Sequence, residues 1–219
     1  MASAPILPEW VYVFVSPHNP MAVMNLQITG RYTSPALGEL QDPAFAASYA
    51  NGTADFLPFV PNPSASIGFM SPFAVGTING YRVEYDAELT RRAFFKNAPS
   101  RLTGIYAFDS LETCKAVNAE WGQSWPLNTV QRFKVESAWR TTRVNMEIVS
   151  LARHAYARAM LDQEGIERLW RAYWSGADNY SMDLPSVDAK QREVVSAGTT
   201  WEWIIDGVLV HESRVDGAA

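Results

Sequence analysis

The sequence predicts a mixed fold of the α+β class, in which strands and helices alternate without a regular βαβ rhythm. A β-branched and aromatic run at 10–16 opens the chain. Segments with helical apolar spacing dominate its middle, and short apolar runs separated by turn residues return in the last quarter. With 219 residues, 47% of them hydrophobic, the chain is long enough to bury a substantial core. We therefore expect one domain over residues 1–219.

Spacing and turn signals assign the elements in order. The predicted strands are 10–16, 101–108, 130–136, 192–196, 199–205 and 208–213. The predicted helices are 86–96, 110–121, 143–162 and 164–175. Asp109 is the expected N-cap of the helix at 110–121. Asp206-Gly207 lies between two apolar runs, which predicts a two-residue hairpin.

The region 33–80 differs from the rest of the chain. It is almost free of charge and contains six prolines, namely Pro35, Pro43, Pro58, Pro61, Pro63 and Pro72. This composition predicts long irregular loops or short edge strands. Because such a segment exceeds the usual loop length, we expect a functional lid or a docking surface.

The composition restricts the class of protein. A net charge of -5 argues against a general surface for nucleic acid or anionic lipid, although it leaves room for a local basic groove. The single cysteine excludes an intrachain disulfide and fits a reducing compartment. Pro5 and Pro8 interrupt any apolar leader, and no run is long enough to span a membrane. We expect a cytoplasmic protein without membrane contact.

Most motifs that bind cofactors or metals are missing from the sequence. No glycine-rich phosphate loop is present, and the chain has no Gly-x-Ser-x-Gly elbow. The three histidines are scattered, and Cys114 has no second cysteine beside it, so we expect no metal site. Cys114 itself fits a small apolar residue on a buried helix face.

Tyr106 is the first candidate for a functional role. It lies in the strand Gly104-Ile105-Tyr106, where the glycine permits close backbone approach and the ring emerges near the strand end. Such a ring can stack on a flat ligand. The alternative is a core aromatic residue whose hydroxyl group is hydrogen-bonded.

Glu193 is the second candidate, because acidic residues are depleted in strands and are rarely buried without a partner. It follows Gln191 by two positions in a β-branched run, so both side chains are expected on one face. A strand-borne glutamate faces water, an ionic partner or a ligand. The alternative is an exposed edge strand that carries polar residues.

These features together resemble the ADP-ribosyltransferase superfamily. Gly104-Ile105-Tyr106-Ala107-Phe108-Asp109 is similar to the Gly-Ile-Tyr strand of the poly-ADP-ribose-polymerase-like branch, including the helix that follows it. Ser100-Arg101-Leu102 and Tyr173-Trp174-Ser175-Gly176 resemble an uncharacterised bacterial and phage family of that superfamily. Glu193-Val194-Val195 is similar to the strand that carries its catalytic glutamate, and Gln191-x-Glu193 matches some bacterial toxins. The similarity spans about residues 10–210 in element order.

The resemblance implies a split, mainly antiparallel β-sheet core with flanking helices and NAD as substrate. The implied activity is mono-ADP-ribosyl transfer from NAD to a macromolecule, as in phage or bacterial effectors. Glu193 would stabilise the oxocarbenium-like state, Gln191 would position the acceptor and Tyr106 would stack on nicotinamide. Accordingly, Glu193→Gln is expected to keep the fold and remove transfer.

One position departs from the family. Its first strand offers a His or Arg that holds the NAD ribose or phosphates, and the alignment places Phe14 there, followed by Ser16. His18 lies beyond the strand. Either another residue, with Arg101 or Arg31 as candidates, performs this role, or the NAD site is degenerate.

Three hypotheses follow. The first is an active transferase acting on a protein acceptor, with nucleic acids and small molecules as open alternatives. The second is a catalytically inactive module of the same fold that binds or inhibits a partner through region 33–80. The third is a structural protein with an accidental match. Trp201 and Trp203 share one strand face, which favours a packed core over a binding patch.

Overall fold

The computed structural model describes residues 5–18, 20–34, 72–159, 161–188 and 190–214, together with positions 44 and 47. Within them the chain forms the mixed α+β architecture expected from the sequence, with antiparallel pairing between strands. No helix in these ranges combines the length and apolar character that crossing a bilayer requires.

The elements alternate along the chain. The strands are β1 (Trp10–Phe14), β2 (Arg31–Thr33), β3 (Ile105–Ala107), β4 (Val130–Asn145), β5 (Ser181–Pro185), β6 (Arg192–Ser196) and β7 (Trp201–Arg214). The helices are α1 (Pro20–Thr29), α2 (Pro72–Phe94), α3 (Leu111–Trp121), α4 (Glu147–Arg158) and α5 (Gln163–Trp174).

The main sheet is built on the long pair β4 and β7. Its order is β1-β4-β7-β2, and β3 also pairs with β7 at the end opposite β2. A bridge between Tyr12 and Phe108, with two backbone hydrogen bonds of 2.8 Å, joins β1 to the end of β3. The pairings therefore run β1-β4-β7-β3 and return to β1.

The two faces of β3 and β7 pack against different cores. Tyr106 pairs with Ile204, and both pack on the helical side, against residues of α2, α4 and α5. Ile105, Trp203 and Ile205 lie on the other face, in a core shared with β1 and β4. Because successive side chains of a strand point to opposite faces of the sheet, residues adjacent in the sequence pack in different cores. The expected core role is confirmed for Trp203, which is 3% exposed.

The predicted helix after β3 is confirmed, but Asp109 is not its N-cap. Ser110 occupies that position with extended backbone angles, and its hydroxyl accepts a 3.1 Å hydrogen bond from the amide of Thr113. Asp109 instead accepts a 3.2 Å bond from the Thr113 hydroxyl and lies 3.4 Å from Arg143. Asp109 and Ser110 are both good capping residues, so the sequence alone did not fix which one begins the helix.

The hairpin predicted at Asp206-Gly207 is wrong. Residues 201–214 form one strand, and Gly207 pairs with Ala138 in the middle of β4. A Cβ atom on Gly207 would overlap the carbonyl oxygen of Ser137, so this glycine permits close approach between two strands. The register of β4 shifts on both sides of this point, which is typical of β-bulges.

The region 33–80 lies largely outside the described residues. At one described end, Thr33 closes β2, which is a short edge strand as predicted. At the other end the prediction of a loop or strand is wrong, because the helix α2 starts at Pro72. The helix predicted at 86–96 therefore begins fourteen residues earlier. Proline at a helix start is compatible with helical geometry, because its missing N–H would have no intrahelical partner there.

The chain has a second, two-stranded sheet formed by β5 and β6. The sequence predicted β6 with the observed bounds but not its partner β5, and it did not predict α1. Residues 143–145 belong to β4, which is longer than predicted, and α4 begins only at Glu147. The apolar spacing of this helix predicts a buried stripe of Ile148, Leu151, Ala152, Ala155, Tyr156 and Ala159. All of these are buried except Ala159, which is partly buried at the C-cap of α4.

Candidate functional site

Gly104 brings β3 close to β7 at the start of the candidate site. A Cβ atom at Gly104 would overlap the side chain of Ile204 and lie 2.9 Å from the carbonyl oxygen of Ser100. The close backbone approach predicted for this glycine is confirmed. It fixes the register in which Tyr106 lies opposite Ile204.

Tyr106 presents its ring rather than its hydroxyl group to the site. The hydroxyl donates a 2.7 Å hydrogen bond to the backbone oxygen of Arg101. The Arg101 guanidinium lies over the ring, 5.4 Å from its centroid. Burial raises the pKa of Tyr106 well above its ordinary value, although Arg101 opposes the shift. The hydroxyl is therefore a fixed donor, and it is unsuited to exchange protons near neutral pH.

Glu202 is the buried carboxylate beside this ring. It precedes Ile204 by two positions on β7, so it lies on the face that Tyr106 shares. Its residue is 3% exposed. Its Oε1 accepts a 3.2 Å hydrogen bond from the Tyr173 hydroxyl and lies 3.6 Å from Nη1 of Arg101.

Burial raises the pKa of Glu202 to about 7, even though Arg101 and Tyr173 favour the ionised form. The carboxylate consequently changes charge near neutral pH. A carboxyl group of this kind, located in a cavity, is a candidate for chemistry on physical grounds.

Arg101 holds this cluster together. It donates two hydrogen bonds to Glu84 of α2, of 2.8 and 3.0 Å, and a further bond to the Tyr173 hydroxyl. Burial alone would raise the pKa of Glu84, but Arg101 and Arg153 lower it. The charge of Arg101 is thus shared between two carboxylates, and its guanidinium is fixed between the rings of Tyr106 and Tyr173.

Two adjoining cavities open at this site. The larger, of about 400 Å³, lies along the ends of β1 and β3 and includes Phe14, Ser16 and His18 in its lining. The smaller, of about 270 Å³, is lined by Arg101, Tyr106, Trp121, Trp125, Met146, Val149, Ser150, Arg153 and Glu202. Tyr106 and Trp125 line both. Ligand cavities in proteins measure roughly 300–1,000 Å³, so the two together have room for a ligand of substantial size.

Four of the predicted site residues lie in these cavities. Tyr106 lines both, Arg101 the smaller one, and Phe14 and Ser16 the larger one. Phe14 packs edge to face against Phe108 and Trp125, with ring centroids 5.8 and 5.2 Å apart. It therefore forms an apolar wall where the resemblance implies a polar His or Arg.

Glu193 and Gln191 do not lie in either cavity lining. Glu193 is an exposed residue of β6 in the second sheet, and its Oε1 accepts a 2.7 Å hydrogen bond from Nη1 of Arg158. Gln191 precedes β6, in the loop that joins it to β5. Tyr106 and Glu193, to which the resemblance assigns roles at one NAD site, are therefore not brought together in these cavities, because β6 pairs with β5 and not with the main sheet.

Arg31, the other predicted cation, is engaged elsewhere. Its guanidinium makes two 2.9 Å bonds to Glu136 on the exposed surface of β2 and β4. Its charge is thus already balanced.

Sequence reasoning missed Glu202, although a signal was present. The alternation of Trp201 and Trp203 places Glu202 on the opposite face of the strand, between two apolar neighbours. The depletion of acidic residues in strands, which drew attention to Glu193, applies more strongly here because β7 is a central strand. Glu84, Tyr173 and Arg153 reach the site from helices, which no local pattern could predict.

The site thus combines an aromatic surface, a carboxylate that ionises near neutral pH, and two arginines. Such a set can hold a flat ring and stabilise a developing positive charge beside it. Compared with known proteins, the chain matches no family model and no curated protein.

Proposed function

We propose that this protein is an ADP-ribosyltransferase that cleaves NAD between nicotinamide and ribose, with its reaction centre at Tyr106 and Glu202. The observation that carries the proposal is the buried Glu202 carboxylate in the cavity that Tyr106 also lines. The antiparallel sheet and the Gly104–Asp109 strand, followed by α3, support the proposed ADP-ribosyltransferase-like fold.

The proposed reaction needs one charge next to the breaking bond. The bond between the ribose C1′ and the pyridinium nitrogen breaks, and its electron pair leaves with neutral nicotinamide. Positive charge then develops on the ribose. Ionised Glu202 stabilises it, and the acceptor nucleophile forms the new bond to C1′ and releases its proton to a base or to water. Tyr106 holds the nicotinamide ring in place.

In this proposal Glu202 has the role that the resemblance implies for Glu193. A charge stabilises a transition state most strongly where water is excluded, and Glu202 is buried whereas Glu193 is solvent-exposed and already paired with Arg158. For the acceptor, we retain a protein as the proposed class, with DNA, RNA and small molecules as outcomes of the assay below.

A second function is favoured by one observation. Phe14 fills the place of the polar residue that the resemblance implies, and its ring packs edge to face against the rings of Phe108 and Trp125. A cavity with that wall could bind NAD or a partner without turning the substrate over. The competing proposal is therefore an inactive binding or inhibitory module of the same fold.

The two functions differ in whether nicotinamide is released. The protein is incubated with NAD labelled in its adenylate half, with and without a cell lysate. Free nicotinamide is quantified, and label on proteins and nucleic acids is separated by nuclease and protease treatment. Transfer of label together with nicotinamide release supports the transferase. Saturable NAD binding without release supports the binding module, and the lack of both binding and release contradicts both proposals.

A further inference from the structure

Arg101 and Arg31, the two candidates for holding the NAD ribose or phosphates, are already paired with carboxylates. Arg101 makes a bidentate contact with the carboxylate of Glu84, and Arg31 makes a bidentate contact with the carboxylate of Glu136. An arginine whose donors are occupied by a carboxylate has few left for a phosphate group. A dinucleotide bound at this site would need another cation.

Arg153 is a cation that fits this need. It lies on α4, and it lines the smaller cavity together with Val149 and Ser150, which precede it by one helical turn. Within the described part of the chain, its guanidinium makes no hydrogen bond or ion pair. Its charge still reaches the site, because it lowers the pKa of Glu84.

The remaining walls define the chemistry of the ligand. Three aromatic residues, Tyr106, Trp121 and Trp125, line the same cavity as Arg153. Aromatic walls accept a flat ring, and the planar guanidinium is suited to a phosphate because its donors match two phosphate oxygens at once. The smaller cavity therefore combines the two groups that would recognise a mononucleotide.

We propose that Arg153 binds the phosphate of the nicotinamide mononucleotide half of NAD. This inference rests on the proposed function and adds the direction in which the substrate lies. The nicotinamide ring contacts Tyr106, the ribose lies at Glu202, and the phosphates follow towards α4. Arg153 acts by binding and takes no part in bond cleavage.

The experiment compares ligands with and without phosphate. NAD and nicotinamide riboside, which lacks the phosphate, are titrated into the unmodified protein and into Arg153→Ala, with binding followed by calorimetry. Loss of one charged contact at a partly exposed site is expected to weaken NAD binding about tenfold. Binding of nicotinamide riboside is expected to stay unchanged.

Arg158→Ala is the matched control. It removes the same charge from the same helix, but Arg158 pairs with Glu193 and lies outside both cavity linings. This variant is expected to bind both ligands like the unmodified protein. An equal loss of NAD affinity in the two variants would indicate a long-range charge effect and overturn the role of Arg153.

Other outcomes separate this inference from the proposed function. If Arg153→Ala binds NAD as tightly as the unmodified protein and still releases nicotinamide, the phosphate role is wrong and the transferase proposal stands. If the Arg153→Ala variant loses as much affinity for nicotinamide riboside as for NAD, Arg153 does not recognise phosphate. If the unmodified protein binds neither ligand, both proposals fail.

Discussion

Glu193 and Glu202 both lie on strands, and their surroundings give the two side chains opposite properties. Glu193 lies on β6, which among the described residues pairs with β5 alone and is largely exposed, and it forms a surface ion pair. Glu202 lies on β7, which pairs with β2, β3 and β4, and it is buried beside Tyr106. The strands that pair with a given strand, rather than its own sequence, therefore decide whether its acidic residue is available for chemistry.

The largest expected difference between the two glutamates is in nicotinamide release after each is replaced by glutamine. Glu202→Gln is expected to lower nicotinamide release about 10²- to 10³-fold, because the charge beside the ribose is lost. Glu193→Gln is expected to react like the unmodified protein. Single-turnover release of nicotinamide measures both. Loss of activity in Glu193→Gln alone would restore the interpretation made from the sequence.

The pH dependence should also separate the two carboxylates. Burial raises the pKa of Glu202 from 4.5 to about 7, so the folded state binds a proton that the unfolded state has released between those values. The stabilising contribution is complete below about pH 4.5 and is lost as the pH rises to about 7. The expected loss is on the order of 3 kcal/mol.

Denaturant unfolding at several pH values measures this effect. Glu202→Gln should lack this part of the pH dependence, whereas Glu193→Gln should retain it. Nicotinamide release should increase over the same range, since the reaction needs ionised Glu202. Identical stability profiles for the unmodified protein and Glu202→Gln would contradict the raised pKa.

The position of β3 against β7 depends on Gly104. Gly104→Ala is expected to lower the free energy of unfolding by about 1–3 kcal/mol, because the added methyl group overlaps Ile204. Gly80→Ala is the matched control: Gly80 lies in α2, and apart from its own helix backbone and chain neighbours no heavy atom of the described residues lies within 4 Å of an added Cβ. This control should gain about 0.5–1 kcal/mol. Equal effects at the two positions would show that β3 can move away from β7.

The smallest effect concerns the ion pair of β6. A double-mutant cycle on Arg158 and Glu193 should give a coupling energy below about 1 kcal/mol, because the Glu193 side chain is 48% exposed. Chemical denaturation of the four proteins measures it. A coupling of several kcal/mol would mean that Glu193 is held far more firmly than its exposure indicates.

The sequence predicts those features that depend on neighbouring residues. The strand predicted at 101–108 exists but is shorter and spans Ile105–Ala107, because residues 101–104 form a turn. The helix after it and most of the apolar stripe of α4 are confirmed, since both follow local apolar patterns. The hairpin predicted at Asp206-Gly207 is wrong, because a glycine is needed at 207 for close packing against the carbonyl oxygen of Ser137, which is distant in sequence. Turn residues and residues at close strand crossings share the same small side chains, so a local pattern cannot distinguish them.

The candidate site follows the same rule. The sequence predicts a site at Tyr106 because Gly104, two positions earlier in the same segment, indicates a close backbone approach. Glu84, Arg153 and Tyr173 come from three helices, and their meeting at β3 and β7 depends on helix packing. The tryptophans that flank Glu202 indicate a packed strand, which is correct for their own face of β7 but says nothing about the opposite face, where Glu202 lies.

The bridge between Tyr12 and Phe108 gives the sheet a seam that is only two hydrogen bonds long. On their other sides β1 pairs with β4 over five residues and β3 pairs with β7 over three. Thermal opening should therefore begin along this seam while the long β4–β7 pair remains intact. Phe14 and Tyr106 stand close to it on separate strands. Separation of β1 from β3 along this seam would widen the larger cavity, which Phe14 and Tyr106 both line. A larger ligand could then enter while β4 and β7 stay paired.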